Sequence, residues 1–213
     1  MFSRLCHLRD VARCALLAAM AGAALLQGCA TKPVTTLEMT WVSPQLPPQP
    51  FKRLLIISVA RDEFVQIAFQ DQMAAALQAR GVNAVASKRY FSSGTDAEKA
   101  RFKQTIEDSG ADSVMIAHVT GRDTKTRDDQ FMTIGDATGI YTAYDRYVSV
   151  ARSSNDYSLE TVTAEVSIFA TEGQKLLWSA RTRTANPRVT TGEGFAPHYV
   201  AVILEAMKKD KVF

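Results

Sequence analysis

The chain has 213 residues, 25 Lys and Arg against 22 Asp and Glu, and a formal net charge of +3 with 46% hydrophobic residues. A chain of this length supports one domain with a real core. Charge this close to neutral gives no basis for general affinity for nucleic acid.

The N-terminus carries Arg4, Arg9 and Arg13 against a single acid, Asp10, followed by an uncharged run from Cys14 to Leu26. A membrane-spanning helix needs about 20 apolar residues, and this run ends too early at Gln27. A buried amphipathic helix is no better a fit, because Leu and Ala occupy every face. The pattern predicts a secretory signal peptide over residues 1–28.

The run closes on Leu26-Gln27-Gly28-Cys29, which resembles the lipobox of bacterial lipoproteins, with Gln27 a less usual residue in a permissive slot. The resemblance implies a diacylglyceryl thioether on Cys29, cleavage after Gly28 and acylation of the new amine, palmitate being a typical chain. Two acyl chains already give a stable anchor, and three leave no soluble fraction. Ala30 stands where inner-membrane retention usually needs Asp, so the resemblance implies the outer membrane, with the domain facing the periplasm.

Removing residues 1–28 leaves 22 basic and 21 acidic side chains, because Arg4, Arg9, Arg13 and Asp10 go with the signal. Cys6 and Cys14 leave as well and Cys29 is lipidated, so the mature chain holds no free thiol. It enters an oxidising compartment without a disulfide, and its core must hold the fold unaided.

Residues 29–50 contain five of the seven prolines and read as a lipidated tether. As extended polyproline II such a stretch reaches about 65 Å, and as a coil about 25 Å. Leu37-Glu-Met39-Thr-Trp41 alternates at the strand period, however, and is also readable as a strand docked on the domain.

A single α/β domain is expected over residues 51–213. Arg53 to Ala60 is a continuous apolar run, the mark of a strand covered on both faces. Asp62 can cap a helix with Val65, Phe69, Met73 and Leu77 on one side, stopped at Gly81. A strand over 82–86, a helix capped by Thr95 or Asp96 and stopped at Gly110, and a strand over 112–119 follow. Short joints imply parallel pairing and right-handed crossovers. Tyr157 to Ala170 and Lys175 to Thr184 read as an antiparallel hairpin about Glu172-Gly173. A last helix from about Gly194 turns Tyr199, Val202, Ile203, Ala206 and Met207 to one side. The expectation is a mixed five-stranded sheet, order 2-1-3-4-5, covered by three helices.

The Phe51-Lys-Arg-Leu-Leu-Ile-Ile opening, Gly110-Ala-Asp-Ser-Val-Met-Ile, Lys175-Leu-Leu-Trp-Ser-Ala-Arg-Thr and the Tyr-rich insert between them resemble a family of uncharacterised bacterial lipoproteins. Its fold is similar to the α/β domains of curli-secretion-type and Tol-associated envelope lipoproteins. The likeness spans about residues 35–210 and implies no catalytic residue; Cys29 alone carries over.

Catalytic signatures are missing from the sequence. There is no G-x-S-x-G elbow, Gly192-Glu-Gly194 lacks a third glycine, and Ser58-Val-Ala-Arg61 offers no glycine cradle for phosphate. His118 and His198 read as a structural and a surface histidine, with no metal site and no cofactor expected. Arg122, Lys125, Arg127, Asp128 and Asp129 read as a solvated charge run. Arg181 and Arg183 read as protection of an exposed sheet edge, and Trp178, sharing a face with Leu176 and Ala180, as core.

The segment 121–156 is long for a connection and carries Tyr141, Tyr144 and Tyr147 in close spacing, the candidate interface, with packing on its own sheet as the competing reading. The sequence therefore favours a non-enzymatic, membrane-anchored binding or assembly module with an envelope protein as partner. The alternative is a small-molecule-binding or hydrolytic domain using the cleft at the carboxyl ends of the first and third core strands.

Overall fold

The computed structural model describes residues 34–47, 51–122, 139–153, 161–185 and 192–213. Cys29, the signal segment 1–28 and the charges Lys125, Arg127, Asp128 and Asp129 lie outside them. The described chain is an α/β fold, one mixed sheet with helices on both faces.

Strand β2 (Leu54–Val59) is buried at every position, as its unbroken apolar sequence requires of a strand covered twice. Helix α1 (Glu63–Gln78) starts where the Asp62 carboxylate accepts the Val65 N–H at 3.1 Å. Strand β3 (Ala84–Ala86) returns parallel to β2. Helix α2 (Asp96–Ser109) is capped by the Thr95 hydroxyl and ends at Gly110, whose φ of 61° suits a left-handed stop. Strand β4 (Ser113–Arg122) lies parallel to β2 and antiparallel to β5 (Thr161–Ala170). A short 3-10 turn over Glu172–Gln174 joins β5 to β6 (Leu176–Ala185), and helix α4 (Gly192–Lys209) closes the chain.

Two expectations are corrected. Among the described residues the sheet has six strands, not five: the order β3-β2-β4-β5-β6 is extended beyond β6 by one further strand. That strand, β1 (Val34–Val42), falls inside the stretch read as a tether and pairs antiparallel with β6. Without it, β6 would leave a ten-residue edge of unpaired backbone groups. The described helices number four, not three, because α3 (Ile140–Ser153) lies in the insert read as a loop. Ile140, Ala143, Tyr144, Tyr147 and Val148 recur at three- and four-residue spacing and are all buried.

The sheet separates two apolar layers. On one side Leu54, Ile56, Met115 and Trp178 meet α1 and α4 through Met73, Leu77, Ile203 and Met207. Trp178 is fully buried and donates its indole N–H to Asp210 at 2.9 Å. A register shift between Ile168 and Phe169 places Leu177, not Leu176, in this layer; Leu176 packs on the other side. There Leu55, Ile57, Val114 and Ile116 meet Phe91, Phe102, Tyr144 and Tyr147.

Strands β2, β3, β4 and β6 run one way, β5 and β1 the other. Val34 therefore starts at the sheet end that carries Val59, Arg122 and Ala185.

Candidate functional site

Ligands of open α/β sheets bind outside the carboxyl ends of strands where the strand order reverses, here between β2 and β4. Beside it, buried polar side chains of the helix that follows β2 tie the chain to itself. Gln66 and Gln70, both fully buried on α1, hold the β3–α2 connection in place. The Gln66 amide donates to the carbonyls of Ala60 and Phe91 at 2.5 and 2.8 Å, and accepts the Phe91 N–H at 3.2 Å. Gln70 accepts from the Ser87 hydroxyl and the Lys88 N–H at 2.9 and 2.8 Å, and donates to the Arg89 carbonyl at 3.1 Å.

Further along this connection the N–H groups of Ser92, Ser93 and Gly94 converge, an arrangement that elsewhere cradles phosphate. Here the Glu98 carboxylate accepts all three, at 2.7, 2.6 and 2.5 Å, together with the Ser93 hydroxyl at 2.7 Å. Burial works to raise the Glu98 pKa, but these hydrogen bonds outweigh it and hold the carboxyl below its ordinary range. Gly94 completes the nest at a φ of 61°, and a Cβ there would stand 2.7 Å from Val148 Cγ1 of α3.

A second polar group lies under α3. The register aligns His118 of β4 with Glu165 of β5 and Arg181 of β6, and Ile116 with Ser167 and Ser179. Arg181 and Glu165 are 3.7 Å apart, and the Ser167 and Ser179 hydroxyls donate to Glu165 at 3.3 and 3.4 Å. The Tyr147 hydroxyl reaches Ser167 at 3.4 Å, while its ring stacks on the His118 imidazole, 3.3 Å between centroids.

Burial pushes the His118 pKa well below its usual value, with Arg181 and Arg146 adding to the effect, so the imidazole is neutral. Its Nδ1 has no hydrogen-bond partner among the described residues. Burial raises the Glu165 pKa against the pull of Arg181 and the serine hydroxyls. Ser167 and Ser179 are at most 1% exposed and bond to the carboxylate and to each other, at 3.1 Å. Among the described residues, no hydrogen bond joins either serine hydroxyl to the His118 imidazole, the contact by which a base activates a nucleophile.

The tyrosines of the insert are not an exposed surface. Tyr144 and Tyr147 are each 1% exposed and Tyr141 is partly buried, which corrects their assignment as a candidate interface. Tyr144 stacks on Phe102 at 4.1 Å and meets Phe91 edge-on at 5.9 Å, so α3 is a packed helix over the sheet.

Arg181 and Arg183 do not guard an edge either. β6 is interior, Arg181 pairs with Glu165, and Arg183 Nε reaches Glu38 of β1 at 2.6 Å. His198 is exposed, and among the described residues no group of three His, Cys, Asp or Glu converges on a metal position. Sequence reading missed Gln66, Gln70, Glu98 and Glu165. The first two recur four apart on the face that also buries Phe69 and Met73, and that spacing was the available signal.

β1 is one of the two outer strands of the described sheet and the longer one, since β3 at the other side has only three residues. Val34, Leu37, Met39 and Val42 are exposed by 60%, 37%, 45% and 38%, and beyond β1 no further strand pairs among the described residues.

No protein-family model matches the chain, and no curated protein does. Among solved structures it is similar to the PelC dodecamer from Paraburkholderia phytofirmans, with TM-score 0.42 and 12% identity over 82% of this chain and 96% of that one. A point variant of the same PelC dodecamer gives TM-score 0.41 and 14% identity, over 80% of this chain and 96% of that one. Likeness at this level transfers no residue's role.

Proposed function

We propose that this chain is an envelope lipoprotein, anchored through Cys29 in the outer membrane and facing the periplasm, whose domain is a non-enzymatic binding or assembly module. The observation that carries the module reading is β1. Four of the five large apolar side chains exposed among the described residues stand on it, and its outer edge has no strand partner there. Edge strands are normally blunted by Lys, Pro or covering loops. β1 has neither residue, and its one charge, Glu38, is engaged by Arg183.

Such an edge recognises an extended segment of a protein partner by strand addition, with backbone hydrogen bonds for affinity and alternate side chains for selection. The polar row under α3 supports the same reading, because Glu165, Ser167 and Ser179 are buried and bonded to one another.

The test is a photo-crosslinking residue at Leu37 in living cells. A discrete protein adduct that disappears when Met39→Lys is added supports recognition at β1. Absence of any adduct, or one indifferent to Met39→Lys, removes the module reading. Acyl labelling that is lost in Cys29→Ala checks the anchor separately.

A further inference from the structure

We propose that the sheet end carrying Val34 and Phe64 lies against the lipid surface, so that the domain stands end-on to the membrane instead of swinging on a long tether. The inference rests on the reading of Cys29 as the lipid anchor.

Covalent reach carries the argument. A free tether over the whole Pro-rich stretch would let the domain drift by about 65 Å when extended. Pairing of β1 with β6 removes that freedom, since Val34 is already in register with Ala185. The five residues from Cys29 to Val34 span at most about 17 Å. The first fixed residue therefore sits close to the bilayer, at the sheet end shared by the carboxyl ends of β2, β4 and β6. From there β1 runs away from the membrane for nine residues, about 30 Å at 3.3 Å per residue. The turn Glu172–Gln174 lies at the opposite, distal end.

Apolar exposure falls at the anchored end. Phe64, 78% exposed, and Val34, 60% exposed, are the two most exposed of the large apolar side chains described. Phe64 sits in the first turn of α1, directly after β2, on a helix start fixed by Asp62. Its ring meets no core, whereas Phe69, Met73, Ala74 and Leu77 further along the helix are buried. The connection beside it exposes Lys88 and Arg89, whose apolar stems and charged ends suit a headgroup layer. Arg61, Asp62 and Glu63 are exposed nearby, so the local charge is mixed and the surface is selected mainly by the short reach and the two apolar side chains. A lipid interface accommodates such side chains at a depth of about 5–10 Å.

The experiment uses the full lipidated protein in vesicles of phosphatidylethanolamine and phosphatidylglycerol. Val34→Cys, Phe64→Cys and Glu172→Cys, all at exposed positions, each provide one thiol for an environment-sensitive fluorophore. Spin-labelled lipid with the label near the headgroup should quench the fluorophore at positions 34 and 64 and leave that at 172 bright. Equal quenching at 64 and 172, in protein that floats with the vesicles, overturns the orientation while the anchor stands. A label at 64 shielded from water yet untouched by the spin-labelled lipid overturns it too, since protein then covers the ring. Failure of the full-length protein to float removes the anchor and the orientation together.

Discussion

The imidazole of His118 lies nearly parallel to the ring of Tyr147, 20° between planes, so a strand of the sheet and the helix above it meet through two buried polar aromatics. The contact joins β4 to α3 and closes the row His118, Glu165 and Arg181 from above. It places that row in the interior, where neutral and paired groups are stable and single charges are not.

Tyr147→Ala should destabilise the domain by about 3–5 kcal/mol, the usual cost of deleting a buried ring. Tyr147→Phe keeps the ring and gives up one long hydrogen bond of 3.4 Å, so the loss should stay below about 1 kcal/mol. Urea unfolding followed by circular dichroism separates the two. Equal, negligible effects would place the ring outside the core.

His118 should make stability fall as pH drops below about 6.5, its ordinary value. Its folded-state pKa is depressed, so between that value and 6.5 the unfolded chain binds a proton the folded chain does not. The slope is at most about 1.4 kcal/mol per pH unit for one proton. Glu165 acts with the opposite sign, because its raised pKa lets the folded chain keep a proton above 4.5. The useful comparison is therefore between wild type and His118→Gln, unfolded in urea from pH 7.5 down to 5.5. Wild type should lose more stability on acidification; parallel curves would show that His118 titrates normally.

Glu98→Ala should cost about 2 kcal/mol or more, since it leaves several converging N–H groups without their charged acceptor. Gly94→Ala should also destabilise, through a positive φ and a Cβ only 2.7 Å from Val148 Cγ1. Added phosphate that restores the melting temperature of Glu98→Ala, but not of Gly94→Ala, would reveal the nest as an anion site emptied by the substitution. No rescue would leave the nest purely structural.

Ile56→Ala, at a fully buried position of β2, should cost about 2–5 kcal/mol. Met39→Lys, on the exposed edge strand, should stay within about 0.5 kcal/mol. A large loss from Met39→Lys would mean that β1 is held by its side chains as core, not presented by its backbone pairing. Reducing agent should leave the melting temperature of the domain unchanged, as no cysteine follows Cys29.

Local chemistry was enough to specify much of the chain. The apolar run 54–59, the caps Asp62 and Thr95, the stop at Gly110 and the turn at Gly173 each depend on neighbours a few residues away, so they are legible without the fold. The lipobox reading of Cys29 is likewise a matter of adjacent residues. Tertiary structure decided the rest. β1 alternates like any half-buried strand, but only the open edge of β6, more than 130 residues away, gives it a partner. β5 also alternates, which suggests one wet face, yet Glu165 and Ser167 are buried because α3 and the neighbouring strands enclose them. Tyr141, Tyr144 and Tyr147 look like contact residues by composition. Their three-residue spacing matches a helix stripe as well, and only the apolar layer of β2 and β4 selects that role. Burial is a property of what arrives from elsewhere in the chain, and for these residues the sequence around them could not supply it.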